Sequence, residues 1–268
     1  MTSNGEVNVR RAASVLAALM LLGLVLAPAT VTGAMPQCVA PSANKFLGNG
    51  MSPSGLKGVY TEIERLGKQL CTQGASQLGS WSLSWISLDG PSTSSPGINI
   101  FQGGYAQCPP PANGSCPYNG GVLYFWDYYA HEQSVACGAA YNTGFINYGN
   151  PSSGYHFFQI SKVSTHYNFY IDEVLRDQIS LASIETCWPV IVGGEWQNEM
   201  LNNNDQGGGH VSNPQGFHKN QYQTSTGLHN ANRTLGSNCD ANSYPAHWHC
   251  NSSSTSANYF DAYDDRVP

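Results

Sequence analysis

The sequence predicts an all-β chain folded as an antiparallel β-sandwich of the jelly-roll or concanavalin-like kind, and three observations carry that reading. Short runs rich in Val, Ile, Tyr, Phe and Trp alternate with a period of two, and turns rich in Gly, Pro and Asn separate them. Charged residues make up only 10% of the chain, whereas Gly, Ser, Asn and Tyr abound, the composition of a β-rich protein with long polar loops.

Taken in order, the chain opens with Arg10 and Arg11 before an apolar run over 12–26, closed by Ala27-Pro28-Ala29 and Thr32-Gly33-Ala34. This is the pattern of a secretory signal peptide over 1–34, and the run falls short of the roughly 20 apolar residues of a membrane span. Small residues follow the arginine pair, which favours general secretion over twin-arginine export. A secreted, soluble monomer of one domain is expected once this segment is removed. Residues 35–76 read as an N-terminal extension, a Pro-, Ser- and Asn-rich leader followed by a segment from Val59 to Leu70 whose apolar spacing fits a helix and whose start also fits a strand.

Residues 77–200 read as the sandwich, with strands at 81–88, 98–101, 122–129, 155–163, 167–171, 174–179 and 188–192. The pair around Asp172-Glu173 reads as a hairpin, although glycine at the second position is the better turn former. From Met200 the aliphatics thin out, and 201–268 reads as an irregular, loop-rich extension packed on the sandwich. It is expected beside the sheet face that carries Glu195, narrowing access there.

Eight cysteines, all beyond the signal segment, favour disulfides in an exported chain. Cys38 with Cys71, Cys108 with Cys116 and Cys239 with Cys250 are the pairings that sequence proximity offers. A net charge of −6 with eleven Lys and Arg argues against nucleic acid or an anionic membrane as partner.

Three stretches place polar groups where apolar alternation predicts a strand: Trp85-Ile86-Ser87-Leu88-Asp89-Gly90, Ile100-Phe101-Gln102-Gly103-Gly104 and Gly193-Gly194-Glu195-Trp196. Trp85 and Asp89 can wall a cleft, or serve as a core aromatic and a turn former. The run Tyr124-Phe125-Trp126-Asp127-Tyr128-Tyr129 can line a groove for an extended peptide or a sugar, or form a two-sided buried strand.

In their order and approximate spacing these stretches resemble the eqolisins, the glutamic peptidases that cleave peptides with a Gln/Glu dyad on a β-sandwich. The resemblance runs from about Trp81 to Glu199. It implies that Gln102 and Glu195 are catalytic and that Trp85, Asp89, Trp126 and Asp127 contact the substrate. Glu195 would take a proton from water and return it to the leaving nitrogen, while the Gln102 amide donates to the oxyanion. It also implies activity in acid, a peptide or protein substrate, and no metal or cofactor.

Other chemistries fit less well. His210, His218, His229, His247 and His249 crowd the tail, yet their spacing lacks a zinc-binding pattern. A serine nucleophile is disfavoured because no Gly-x-Ser-x-Gly elbow occurs. Three Asn-x-Ser/Thr sequons, at Asn113, Asn232 and Asn251, matter only in a host that glycosylates its exports. A non-catalytic secreted sandwich that binds carbohydrate or a cell-surface partner is the alternative, since loops rich in Tyr, Trp, Asn and Gly suit sugars.

Overall fold

The structure, a computed structural model, describes residues 37–39, 45–71, 81–90, 99–107, 121–130, 140–144, 151–180, 191–231, 246–251 and 258–267. All belong to the compact unit spanning 34–268. The expected signal segment, the sequons' Asn113 and Asn232 and the cysteines at 108, 116, 137, 187 and 239 lie outside the described residues.

Among the described residues there is no helix, and the strands form two layers. The six-stranded sheet runs β1 (Lys45–Met51), β10 (Gly193–Met200), β3 (Ser82–Asp89), β4 (Asn99–Gln107), β5 (Val122–Ala130) and β6 (Ala140–Gly144). The nine-stranded sheet runs β11 (Gly209–His210), β15 (Phe260–Asp264), β12 (Gln215–Thr224), β2 (Gly58–Arg65), β7 (Gly154–Val163), β8 (His166–Ile171) and β9 (Val174–Ser180). β13 (Gly227–Asn230) pairs with β12, and β14 (Trp248–Asn251) with β15. Every pairing is antiparallel except β11 with β15.

Alternation decides which face each sheet buries. Ile86 and Leu88 on β3, Phe101 and Tyr105 on β4 and Trp196 on β10 point to the inner face. There they meet Val59, Ile63, Phe158, Ile160, Phe169 and Phe217 of the other sheet in one continuous core. Burying a side chain of this size stabilises the fold by about 1.5–3 kcal/mol. Amphipathic strands with one apolar face leave little choice of layer once paired.

The expected fold class is observed, and its extent is larger than the sequence shows. The segment around Val59 is a strand at the centre of the nine-stranded sheet, because its buried residues alternate through Val59, Thr61 and Ile63 on one face. β1, in the expected leader, closes one edge of the six-stranded sheet against β10. The expected strand at 188–192 lies partly outside the described residues, and the strand proper starts later, at Gly193. The tail is not irregular, for β12 and β15 supply Phe217 and Phe260, stacked with ring centroids 4.5 Å apart, to the core. Among the described residues the tail extends the nine-stranded sheet through β11, β12, β13, β14 and β15. Aromatic and alternating polar residues supply its strands, which is why a search for aliphatics misses them.

The hairpin between β8 and β9 turns through Asp172 and Glu173 with φ of 50° and 64°, both left-handed as a two-residue turn requires. Deep between the layers, Lys68 Nζ donates to Ser84 Oγ at 2.8 Å and Asn198 Oδ1 at 2.6 Å. Burial pulls its pKa down to about 7, and the Asp205 carboxylate opposes the shift.

Cys38 and Cys71 are bonded to each other, tying the start of the described chain to the end of the segment after β2. Cys250 is disulfide-bonded as well, and its expected partner Cys239 lies outside the described residues. Replacing Cys38 and Cys71 together by Ser should lower stability by about 2–4 kcal/mol, read as a fall in the urea midpoint with little change of slope.

Candidate active site

Strand pairing carries one row of residues across the six-stranded sheet: Gly50, Glu195, Ser87, Gln102, Asp127 and Thr143 are successive register partners from β1 to β6. Directly paired residues point to the same side of a sheet. Glu195 and Gln102 therefore share the outer face, on the two strands that flank β3. Their Cα atoms are separated by two inter-strand steps, about 10 Å. Ser87 sits between them, and its hydroxyl donates to Asp89 Oδ1 at 2.7 Å.

Why these strands present polar groups here follows from the glycines beside them. A Cβ on Gly194 would lie 2.6 Å from Val59 Cγ1, and one on Gly193 would lie 3.0 Å from Asp89 Oδ2. The first glycine thus lets the facing sheet close, and the second makes room for the Asp89 carboxylate beside Glu195. A Cβ on Gly103 would strike the Phe169 ring, and one on Gly104 the Ser84 carbonyl and Trp85 backbone. The paired glycines of both motifs are places where other atoms already occupy the Cβ position.

Exposure is graded across the face. Asp89, Gln102, Asp127 and Glu195 are partly exposed, whereas Trp85, Phe125 and Gln197 in the adjoining row are buried. Gln102 Nε2 donates to Asp127 Oδ2 at 3.5 Å, a long contact that turns the amide nitrogen toward β5. Trp85 Nε1 donates to Glu199 Oε2 at 3.0 Å, so a buried carboxylate is held two positions along β10 from Gln197.

Asp89 and Glu199, on the same face as Glu195, raise the cost of charge there. The Glu195 pKa is pushed well above its ordinary 4.5, first by burial, then by the Asp89 and Glu199 carboxylates, against a hydrogen bond from Gln197. Asp89 is likewise raised by burial, against the hydrogen bond from Ser87. The two titrate as a pair. Like charges near each other cannot both ionise cheaply, so the pair keeps a proton beyond the usual carboxylate range.

Of the residues singled out in the sequence, Glu195, Gln102, Asp89 and Asp127 come together. Trp85 shares their face, yet it is only 1% exposed and forms the floor beneath the row rather than an open wall. Trp126 does not join them. It pairs with Gly103 on the opposite parity and packs in the inter-sheet core against Phe101 at 6.2 Å, so it cannot line this face. Alternation within 124–129 puts Trp126 and Asp127 on opposite faces, and that alone separates them. Ser87 and Glu199 were missed, although each shares strand parity with a residue already singled out. His247 and His249 are engaged with the Asn203 carbonyl at 3.2 Å and Asp265 Oδ2 at 2.9 Å.

No protein-family model and no curated sequence matches this chain. Among solved structures it is similar in fold to scytalido-glutamic peptidase in complex with a peptide-based transition-state analog, at 11% identity and a TM-score of 0.51, covering 84% of this chain and all (100%) of that one. SCP-B, a member of the eqolisin family of peptidases in complex with the tripeptide Ala-Ile-His, matches at 11% identity and a TM-score of 0.47 over 84% of this chain and 100% of that one. A glycoside hydrolase family 16 endo-glucanase from Bacteroides ovatus matches at 13% identity and a TM-score of 0.34 over 55% of this chain and 56% of that one. At these identities the first likeness defines the class of fold, a two-layer β-sandwich.

Filling the Gly103 position tests whether the facing sheet fixes this region. Gly103→Ala should cost about 1–3 kcal/mol through the clash with Phe169, measured by thermal or urea unfolding.

Proposed function

We propose that this chain is a secreted endopeptidase in which Glu195 and Gln102 hydrolyse peptide bonds with an activated water and without a cofactor. The observation that carries the reading is the row Glu195, Ser87, Gln102, in which a carboxyl and a carboxamide flank one small residue on the same partly exposed face. The sequence resemblance and the fold likeness to a glutamic peptidase support it.

In this reading a substrate carbonyl and a water bind between Glu195 and Gln102, over the buried Ser87. Ionised Glu195 takes a proton as the water oxygen attacks the carbonyl carbon, and Gln102 donates an amide N–H to the oxygen that becomes negative. Glu195 then passes its proton to the nitrogen as the C–N bond breaks, which leaves a carboxylic acid and an amine. Asp127 holds one end of the Gln102 amide. Asp89 keeps the Glu195 pKa high, and a more basic carboxylate is the better proton acceptor.

The sign of the pH dependence follows. A base must be ionised, so activity rises as pH increases through the pKa of Glu195. That pKa is pushed up to about 8 by burial and by the Asp89 and Glu199 carboxylates, so the rising limb lies near pH 8 and activity falls off into acid, away from the acid activity that the sequence resemblance implies. Removing the Asp89 charge lowers the Glu195 pKa. Asp89→Asn should therefore move the rising limb of kcat/KM to lower pH, measured on a fluorogenic peptide, and an unmoved limb refutes the pairing.

The direct test is hydrolysis of a denatured protein substrate by the purified mature protein from acid to mildly alkaline pH. Glu195→Gln should reduce the rate by at least about a hundredfold and Gln102→Ala by about 10²–10³. Equal rates in wild type and Glu195→Gln, or no hydrolysis by the wild type, reject the proposal.

A further inference from the structure

A second chain of hydrogen-bonding groups lies at the start of β7, outside the row just described. Ser152 Oγ is 3.1 Å from His156 Nε2, and His156 Nδ1 is 2.7 Å from Asp172 Oδ2. Asp172 Oδ1 in turn accepts the Phe157 N–H at 3.0 Å, which fixes the carboxylate in the β8–β9 turn. Ser152 is exposed, whereas the His156 side chain is only 12% exposed. A surface hydroxyl backed by a largely buried imidazole and an oriented carboxylate has the hydrogen-bond order of an activated serine, which is recognised by geometry and not by sequence position.

The neighbours fix the hydrogen on Nδ1. A bare Nδ1 lone pair 2.7 Å from a carboxylate oxygen would be repelled, so Nδ1 carries the hydrogen and donates it to Asp172. In the neutral ring Nε2 is then an acceptor, aimed at the Ser152 hydroxyl. The Ser152 carbonyl oxygen, 3.2 Å from Nε2, can accept from that nitrogen only after it has taken a proton, and so stabilises the charged ring. Tyr124 Oη lies 3.0 Å from Nδ1. The Tyr124 and Tyr105 rings meet the imidazole edge-on at 5.6 and 6.2 Å and restrict its rotation. Arg65 is the register partner of Gly154, on the same face of the nine-stranded sheet as His156, and its buried Nε has no hydrogen-bond partner among the described residues. Its positive charge acts on the Tyr105 hydroxyl, whose ring meets the imidazole.

We propose that Ser152, His156 and Asp172 form a separate acyl-transfer centre that accepts small carboxylic esters at the rim between the two sheets, where Ser152 is exposed. Ser152 Oγ attacks the ester carbonyl carbon while its proton passes to His156 Nε2. The tetrahedral intermediate collapses and the alcohol leaves with the proton held by His156, which gives an acyl-serine. Water then attacks the acyl carbon, loses its proton to His156 and releases the carboxylic acid, and the proton returns to Ser152. Asp172 is a positioning residue that holds the tautomer.

The test uses the intact mature protein with a fluorophosphonate probe, followed by peptide mass spectrometry, and with p-nitrophenyl acetate as substrate. A phosphonyl adduct should form on Ser152, and its rate should fall by about a hundredfold or more in His156→Gln. Ester hydrolysis should fall at least about tenfold in Ser152→Ala, whose exposed side chain leaves the fold intact. Both signals should persist in Glu195→Gln, which separates this centre from the peptidase reading. No adduct on Ser152 in the wild type, an adduct rate unchanged by His156→Gln, or ester hydrolysis unchanged by Ser152→Ala overturns the proposal.

Discussion

The register of β3 is the constraint on which the rest of the six-stranded sheet depends. Ile86 and Leu88 are fully buried against the second sheet, so Trp85, Ser87 and Asp89 must point the other way. A slip of one residue would bury Ser87 and Asp89 in the core and expose the two aliphatics, an exchange that costs several kcal/mol at about 1.5–3 kcal/mol per apolar side chain. β4 and β10 are in turn read against β3, which places Gln102 and Glu195 on either side of Ser87. The catalytic proposal thus rests on hydrophobic burial on the reverse side of the sheet.

That arrangement has an electrostatic consequence for the folded state. Asp89 and Glu195 have folded pKa values raised above their ordinary 3.8 and 4.5. Their contribution to stability is fully present below those ordinary values and is lost as pH rises through the raised ones. Lys68 acts in the opposite sense. Its pKa is depressed from 10.5 to about 7, so its contribution is present above 10.5 and is lost as pH falls toward 7. Below that pH the Lys68 penalty no longer changes, and the carboxyl pair governs the acid side.

Much of this architecture was legible in the sequence wherever one face of a strand was apolar. Between Trp81 and Ile179 the expected strands and the Asp172-Glu173 hairpin agree with the structure, except that β4 runs on to Gln107 past the expected end at 101, through Gly103 and Gly104, and β6 was not anticipated. β12 and β15 do not, because Phe217 and Phe260 stand among Gln, His, Asn and Asp, and their burial depends on partners distant in the chain. The grouping of Glu195, Gln102 and Asp89 could be anticipated from motif order, yet Trp126 could not be placed without knowing which parity of β5 faces the core. The Ser152, His156 and Asp172 chain was invisible for another reason. Its members are brought together by a turn and a hairpin, and no local motif marks them.

The central claim is that Glu195 and Asp89 are neighbouring, partly buried carboxyl groups on one face. Titration of the side-chain carboxyl ¹³C resonances of glutamate-labelled protein, in the wild type and in Asp89→Asn, tests it without reference to activity. The account predicts one glutamate with a midpoint clearly above 4.5 that moves down when Asp89 is neutralised. A Glu195 resonance that titrates at its ordinary value, or that ignores the substitution, would contradict it.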